Sequence, residues 1–283
     1  MVLTPDAILA NPLSGGALRR QARAFLSTHE AQPRLASIFA THQRWLLSML
    51  ALALYLGREG YPDSPGLRAT LLLDEAVRND VASRNTAHSF LQEMQRFGLI
   101  EARISEADKR LRLLHAQDFV IEMLEHWMRI HFTTLDALDG GARLARFTAA
   151  PHGAARLQPL IVAHLLQARP IRVPGGTFAV FTWLDQGGLL MDWLIANMDE
   201  EADGNGRIQT ADISITELGQ QLGLSRSHLS RKLKEARMAG GIGWSDSRGQ
   251  LRLWIADDFR ADYFRYQACK LALIDQALAE SGL

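Results

Sequence analysis

Two stretches of this chain carry the same ordered set of residues, 142 positions apart. At that offset Glu75 pairs with Glu217, Ser83-Arg84 with Ser225-Arg226, Leu91 with Leu233, Glu93 with Glu235, Gly98 with Gly240 and Ile100 with Ile242. Farther on the offset falls to 140: Leu111-Arg112-Leu113 answers Leu251-Arg252-Leu253, Ala116 answers Ala256, and Asp118-Phe119 answers Asp258-Phe259. Upstream, at 142 again, Ile38-Phe39 meets Val180-Phe181, Met49 meets Met191 and Leu52 meets Leu194. A repeat this long means one structural unit built twice, and the two-residue slip asks for a longer loop in the first copy. The 283 residues suit about two domains, each able to bury its own core.

The second copy is the easier to read. Ser214-x-x-Glu217 is a capping-box pattern, and the helix it opens carries Ile215, Leu218 and Leu222 on one face. Gly223-Leu224 turns the chain, and Ser225 is a good N-cap. Leu229, Leu233 and Ala236 then recur at helical spacing until Gly240-Gly241 stops the helix. Residues 242–244 and 251–255 read as short strands joined by the polar run 245–249, and Asp258 is expected to cap a long helix through Tyr263, Tyr266 and Cys269. The first copy repeats the plan. Leu72, Leu73, Ala76 and Val77 face a core, and Ser83 caps a helix whose buried stripe is Ala87, Leu91 and Met94. A hairpin spans 99–114, with the two extra residues in its loop 105–110, and Asp118 caps the next helix. These elements predict a mainly α chain with short β-hairpin wings. The expected divisions are an N-terminal helical segment at 1–34, a first domain at 35–140, a linker and helix at 141–177, and a second domain at 178–283.

Two helices, a turn and a two-stranded wing resemble the winged helix-turn-helix, and the order of parts is similar to the MarR family of bacterial transcription regulators. The most family-like string is Ile104-Ser-Glu-Ala-Asp-Lys-Arg-Leu-Arg-Leu-Leu114, which resembles that family's acidic-basic wing and following strand. The resemblance covers roughly residues 35–138 and 178–280 and implies a cytoplasmic, sequence-specific binder of double-stranded DNA. MarR regulators carry one winged helix per chain and dimerise through terminal helices, whereas this chain carries two. Fused copies imply an intramolecular pseudo-dimer with recognition helices in successive major grooves ~34 Å apart. Chain-to-chain homodimerisation is the alternative. Plasmid replication initiators and other tandem winged-helix proteins share the plan, so a non-catalytic protein-interaction module of replication or chromosome organisation stays open.

A recognition helix needs hydrogen-bond donors on the face opposite its buried stripe. In the second copy that face holds Ser227, Ser230, Arg231 and Lys234, with Ser225, Arg226 and His228 at the helix start and Arg237 farther along. Between Leu224 and Arg252 seven Lys/Arg stand against Glu235 and Asp246. Arg248, at the wing tip beside Gly249, is placed like the family's minor-groove arginine. The equivalent face of the first copy is Asn85, His88, Ser89 and Gln92, with Arg84 at its start and Lys109 and Arg110 on the wing. From Ala82 to Arg112 six Lys/Arg stand against four acids. Asn and Gln read adenine bidentately, so the neutral face also suits contact, and unequal half-sites are the expectation.

Other functions find less support. Lys+Arg and Asp+Glu cancel at 31 each, so net charge names no partner. The most apolar windows, 45–56 and 188–198, are shorter than the ~20 residues a membrane span needs, and no secretion signal opens the chain. No zinc-finger spacing, P-loop, G-x-S-x-G or strand-linked G-x-G-x-x-G occurs, so neither catalysis nor a cofactor is expected. Residues 201–212 approach a calcium-loop spacing, with Glu201 in place of Asp and Asp212 in place of the terminal Glu. An acidic, Gly-rich connector is the better reading. The lone Cys269 reads as a buried, inert thiol, and Glu122, His126 and His131 as a wet helix face or an interface. A small apolar effector in a cleft between the copies is a further expectation.

Overall fold

In a computed structural model the chain is mainly helical, with two small antiparallel sheets. The residues described are 2–31, 41–57, 66–105, 108–176, 179–182, 186–200, 202–203, 205–247 and 250–283, with the main chain alone at 245–247 and 250–251. In chain order the elements are α1 (Pro5–Ala10), α2 (Ser14–Ala31), α3 (His42–Leu56), α4 (Ala69–Arg78), α5 (Arg84–Arg96), β1 (Ile100–Ile104), β2 (Arg112–Ala116), α6 (Asp118–Asp139), α7 (Arg143–Ala149), α8 (Gly153–Gln167) and α9 (Arg169–Arg172). After these come α10 (Ala179–Thr182), α11 (Gly187–Ala196), β3 (Arg207–Asp212), α12 (Ile215–Gln221), α13 (Arg226–Met238), β4 (Ile242–Ser247), β5 (Gln250–Ala256) and α14 (Asp257–Glu280). Two units result. One joins Gln43–Arg172 to Leu271–Leu283 and the first residues to Leu3; the other joins Thr4–His42 to Val173–Lys270.

In the first unit, α4 buries Leu72, Leu73 and Ala76, and α5 buries Ala87, Phe90, Leu91 and Met94. Val77, expected in the core, is 52 % exposed: four residues after Leu73, it lies about 40° beyond the edge of the buried stripe, in the last turn of α4. β1 and β2 form the hairpin, with Ile100 opposite Ala116. A single antiparallel bridge, Leu67 to Leu114, gives β2 a second main-chain partner beside β1. Asp118 lies inside the first turn of α6, where Gln117 occupies the cap, so its carboxylate faces the positive end of the helix without capping it. His131, expected on a wet face, is buried. Its Nδ1 lies 2.8 Å from the Trp127 carbonyl oxygen and its ring 4.1 Å from that of Trp127.

A buried arginine ties this unit together. Arg143 is 4 % exposed, and all five of its guanidinium hydrogens meet carboxylates. Nε and Nη2 donate to Asp275 at 2.6 and 3.0 Å, Nη1 and Nη2 to Asp139 at 2.7 and 2.8 Å, and Nη1 also to Asp136 at 3.4 Å. The acids are held in turn by main-chain donors: Asp136 by the N–H groups of Arg143 and Leu144, Asp139 by that of Gly141, and Asp275 by that of Leu3. One side chain thus links α6, α7, the last turns of α14 and the chain start.

In the second unit, β3, β5 and β4 form a sheet in that order. Residues 207–212, expected as part of a connector, are strand β3. Ile208 and Thr210 alternate inward with exposed or half-buried neighbours, and Thr210 Oγ1 donates to the Leu253 carbonyl at 3.0 Å. The core gathers Phe181, Leu194, Ile208, Leu218, Leu229, Leu233, Ile255 and Phe259. α14 begins at Asp257, so Asp258 too lies in the first turn instead of capping. The Gln209–Trp254 pairing repeats Leu67–Leu114 at offsets of 142 and 140. The hairpins differ by one step: Ile100 faces Ala116, whereas Ile242 faces Ile255 instead of Ala256. The slip between the copies is therefore not confined to the loop.

Removing one partner of a buried, hydrogen-bonded ion pair costs about 3–5 kcal/mol. Asp275→Asn is expected to lower unfolding stability by about 3 kcal/mol in urea titration, against under about 0.5 kcal/mol for Asp262→Asn, whose partner Arg265 is exposed. The hydrogen bonds from Arg143 hold the Asp139 carboxyl below its ordinary range. Its stabilisation is therefore present above the unfolded carboxyl value near ~4 and lost as pH falls through the lower folded value. Asp139→Asn is expected to flatten the acid limb of stability against pH.

Candidate nucleic-acid interface

α12 starts in a complete capping box: Ser214 Oγ accepts from Glu217 N at 3.1 Å, and Glu217 Oε2 accepts from Ser214 N at 3.0 Å. Those hydrogen bonds hold the Glu217 carboxyl below its ordinary value. Leu222 ends the helix and Gly223 turns the chain at φ +65°. A tight approach fixes the angle of the next helix, because a Cβ on Gly219 would stand 2.8 Å from the Leu224 carbonyl oxygen. Ser225 Oγ then accepts from His228 N at 3.3 Å and opens α13.

α13 buries Leu229, Leu233 and Ala236 fully. The opposite side exposes Ser227, Arg231 and Lys234, Arg226 and Arg237 are exposed toward the two ends of the helix, and His228 and Ser230 are half-buried. Among the described residues, no carboxylate lies within ion-pair distance of Arg226, Arg231 or Lys234. The other basic residues described in this region are engaged. Lys232 pairs with Glu235 at 3.3 Å, Arg237 stacks 4.5 Å from the Trp244 ring, and Arg252 lies between Asp199 and Asp212 at 3.4 and 3.5 Å. Charge counting along 224–252 misses Asp199 and Asp212, because both acids lie outside that window. The β4–β5 hairpin is braced by Trp254, which lies across Gly243 where a Cβ would collide with it, and carries Arg207 at 4.5 Å on its ring. Arg248 and Gly249 lie outside the described residues.

The counterpart in the first unit is less basic still than its sequence. Ser83 caps α5 as expected, and Asn85, His88, Ser89 and Gln92 are exposed. Arg84, however, is bound to Asp74, and Arg44 holds Glu93 at 2.7 Å while lying 5.9 Å from the Phe90 ring. Lys109 and Arg110 are exposed at the hairpin end, where the Arg110 N–H donates to Asp108 at 2.9 Å. Val77 and Phe97, each 52 % exposed, flank this face in sequence. Glu106 and the matched pair Ile38-Phe39 lie outside the described residues.

The other candidate sites resolve locally. In the stretch with calcium-loop spacing, Glu201 and Gly204 lie outside the described residues, and Asp203 Oδ1 accepts from the N–H groups of Asn205 and Arg207, both at 2.9 Å. Among the described residues no three acidic, His or Cys side chains are grouped to hold a metal, and no helix is long and apolar enough to cross a membrane. Cys269 is half-buried, and burial raises its thiol pKa, away from the reactive thiolate. No protein-family model, curated protein or solved structure matches the chain.

Gly219→Ala is expected to cost about 1–3 kcal/mol, since the added methyl meets main chain that must move. Gly188→Ala, in α11 with open space around it, is expected to gain about 0.4–1 kcal/mol. Paired thermal denaturation of the two variants checks the close approach.

Proposed function

We propose that this chain is a transcription regulator that binds double-stranded DNA through two tandem winged-helix units of MarR-like type, with α13 as its principal recognition helix. The observation that carries the reading is the set of exposed cations Arg226, Arg231 and Lys234, unopposed by acids among the described residues, on a helix whose Leu229-Leu233-Ala236 stripe is buried. Cations free of protein partners release counterions from phosphates, and an arginine fork reads guanine in the major groove. Ser225, Ser227 and Ser230 suit phosphate contacts near the helix start, and Arg248 suits the minor groove. The first unit contributes through Asn85, Ser89 and Gln92, with Lys109 and Arg110 on its wing. Repression or competition by occupancy of an operator with unequal halves is the mechanism this supports.

A second reading has its own support. In the first unit Arg84 and Arg44 are neutralised by Asp74 and Glu93, and Val77 and Phe97 are exposed, a surface suited to a protein partner in a replication or chromosome complex.

Selection on random duplex DNA followed by binding titrations at several salt concentrations separates the two. Three phosphate-facing cations of α13 give a log–log salt slope of about −2.7 from that helix alone. The double variant Arg231→Glu, Lys234→Glu is expected to reduce the slope by about 1.8 and weaken binding at least tenfold, while Tm stays within about 2 °C. Absence of duplex binding, or a large loss of Tm with unchanged affinity, would overturn the DNA reading.

A further inference from the structure

Of the 31 basic residues in this chain only four are lysines, and three of them belong to the first hairpin (Lys109) and to α13 (Lys232 and Lys234). The fourth, Lys270 on α14, is 6 % exposed. Its surroundings within the second unit are aromatic: Nζ lies 5.7 Å from the ring centres of Phe25 on α2 and of Tyr266, one turn earlier on α14. Asp192 on α11, whose charge reaches Lys270, already accepts from Tyr263 at 2.6 Å. Nζ has no hydrogen-bond partner among the described residues, yet it is not sealed. Unlike His29 Nδ1 and Gln21 Oε1, which are unpaired and closed off, it keeps contact with solvent.

That setting suits a lysine and not an arginine. A guanidinium stays charged in a protein, and the buried one of Arg143 is surrounded by carboxylates. An amine can give up its proton. Burial pushes the pKa of Lys270 down, against a smaller upward pull from Asp192, so a share of the amine carries a free lone pair near neutral pH. Unprotonated lysine is the nucleophile of Schiff-base chemistry, and an apolar setting is one way in which proteins prepare it.

We infer that Lys270 is a covalent site for a small uncharged aldehyde, held as an imine beside Phe25 and Tyr266. Nζ adds to the carbonyl carbon to give a carbinolamine. The C–N bond then becomes C=N as the former carbonyl oxygen leaves as water with the two amine hydrogens, and no oxidant or reductant is required. The rings of Phe25 and Tyr266 offer an apolar surface to the carbon body, and Asp192 supplies the countercharge when the imine nitrogen takes a proton. The site uses no residue of α13 and needs no DNA, so it stands or falls separately from the DNA reading.

The full chain is incubated at neutral pH with acetaldehyde and cyanoborohydride, which reduces an imine to a stable ethylamine. Ethylation of the four lysines is followed against time by peptide mass spectrometry. Lys270 is expected to react at least about tenfold faster than the exposed Lys109 and Lys234, whose amines stay protonated. A lysine that merely fills space reacts last, because burial hides it. In guanidinium chloride the four are expected to react at similar rates. Lys270→Met, checked for folding by its Tm, is expected to remove the fast reaction and leave the other three lysines unchanged. Native labelling of Lys270 last, or no faster than Lys109, would overturn the assignment, as would a Lys270 that reacts as fast in the unfolded chain as in the folded one. The wild-type order decides the matter even if Lys270→Met fails to fold.

Discussion

Burial of one stripe on α13 governs everything this surface presents. Leu229, Leu233 and Ala236 are inside the second unit, and a helix rotates about 100° per residue, so Arg231 and Lys234 are turned to solvent, while Arg226 is exposed in the first turn. The stripe in turn depends on a backbone contact. Gly219 lets α12 close on the Leu224 carbonyl, and the capping hydroxyls of Ser214 and Ser225 fix where each helix begins. Apolar burial supplies the free energy, while the glycine and the two serines set the geometry.

The helix pairs α4–α5 and α12–α13 carry different electrostatics. On α5 the arginine at the helix start is bound by Asp74, and Glu93 is answered by Arg44 from α3. On α13 the acids Asp199 and Asp212 draw in Arg252 from β5 and leave the helix cations alone. Exposed pairs of this kind contribute little stability, but they decide which charges remain for a ligand. The contrast leaves α13 the more basic surface and α5 the more neutral one.

Interior polar groups follow a different logic in each unit. Arg143 has every donor answered, so the first unit can keep a guanidinium almost out of water. In the second unit Tyr263 donates to Asp192 at 2.6 Å, and burial pushes the Asp192 carboxyl up and the Lys270 amine down, each toward its neutral form. Gln21 and Gln267 pair in the interior of the same unit. The pattern is incomplete in this unit, since His29 Nδ1, Gln21 Oε1 and Gln209 Oε1 are buried without an answering group among the described residues.

The sequence by itself determined the local elements. Serine caps at 83, 214 and 225, helical stripes such as Leu229-Leu233-Ala236, and the hairpin after each helix pair are short-range features, set by residues within a turn or two of one another. The exposed face of α13 was legible for the same reason. Strand β3 was missed although Ile208 and Thr210 alternate inward, because acidic and glycine residues before it dominate the local composition. Only the tertiary structure decided what depends on contacts between distant residues. It joined Thr4–His42 to Val173–Lys270 in one unit, brought Asp275 to Arg143, set Asp199 and Asp212 on Arg252, and enclosed His29 beside Trp193. Helix periodicity says that a face is buried but not against what, and a charge has no fixed partner until the chain has closed around it.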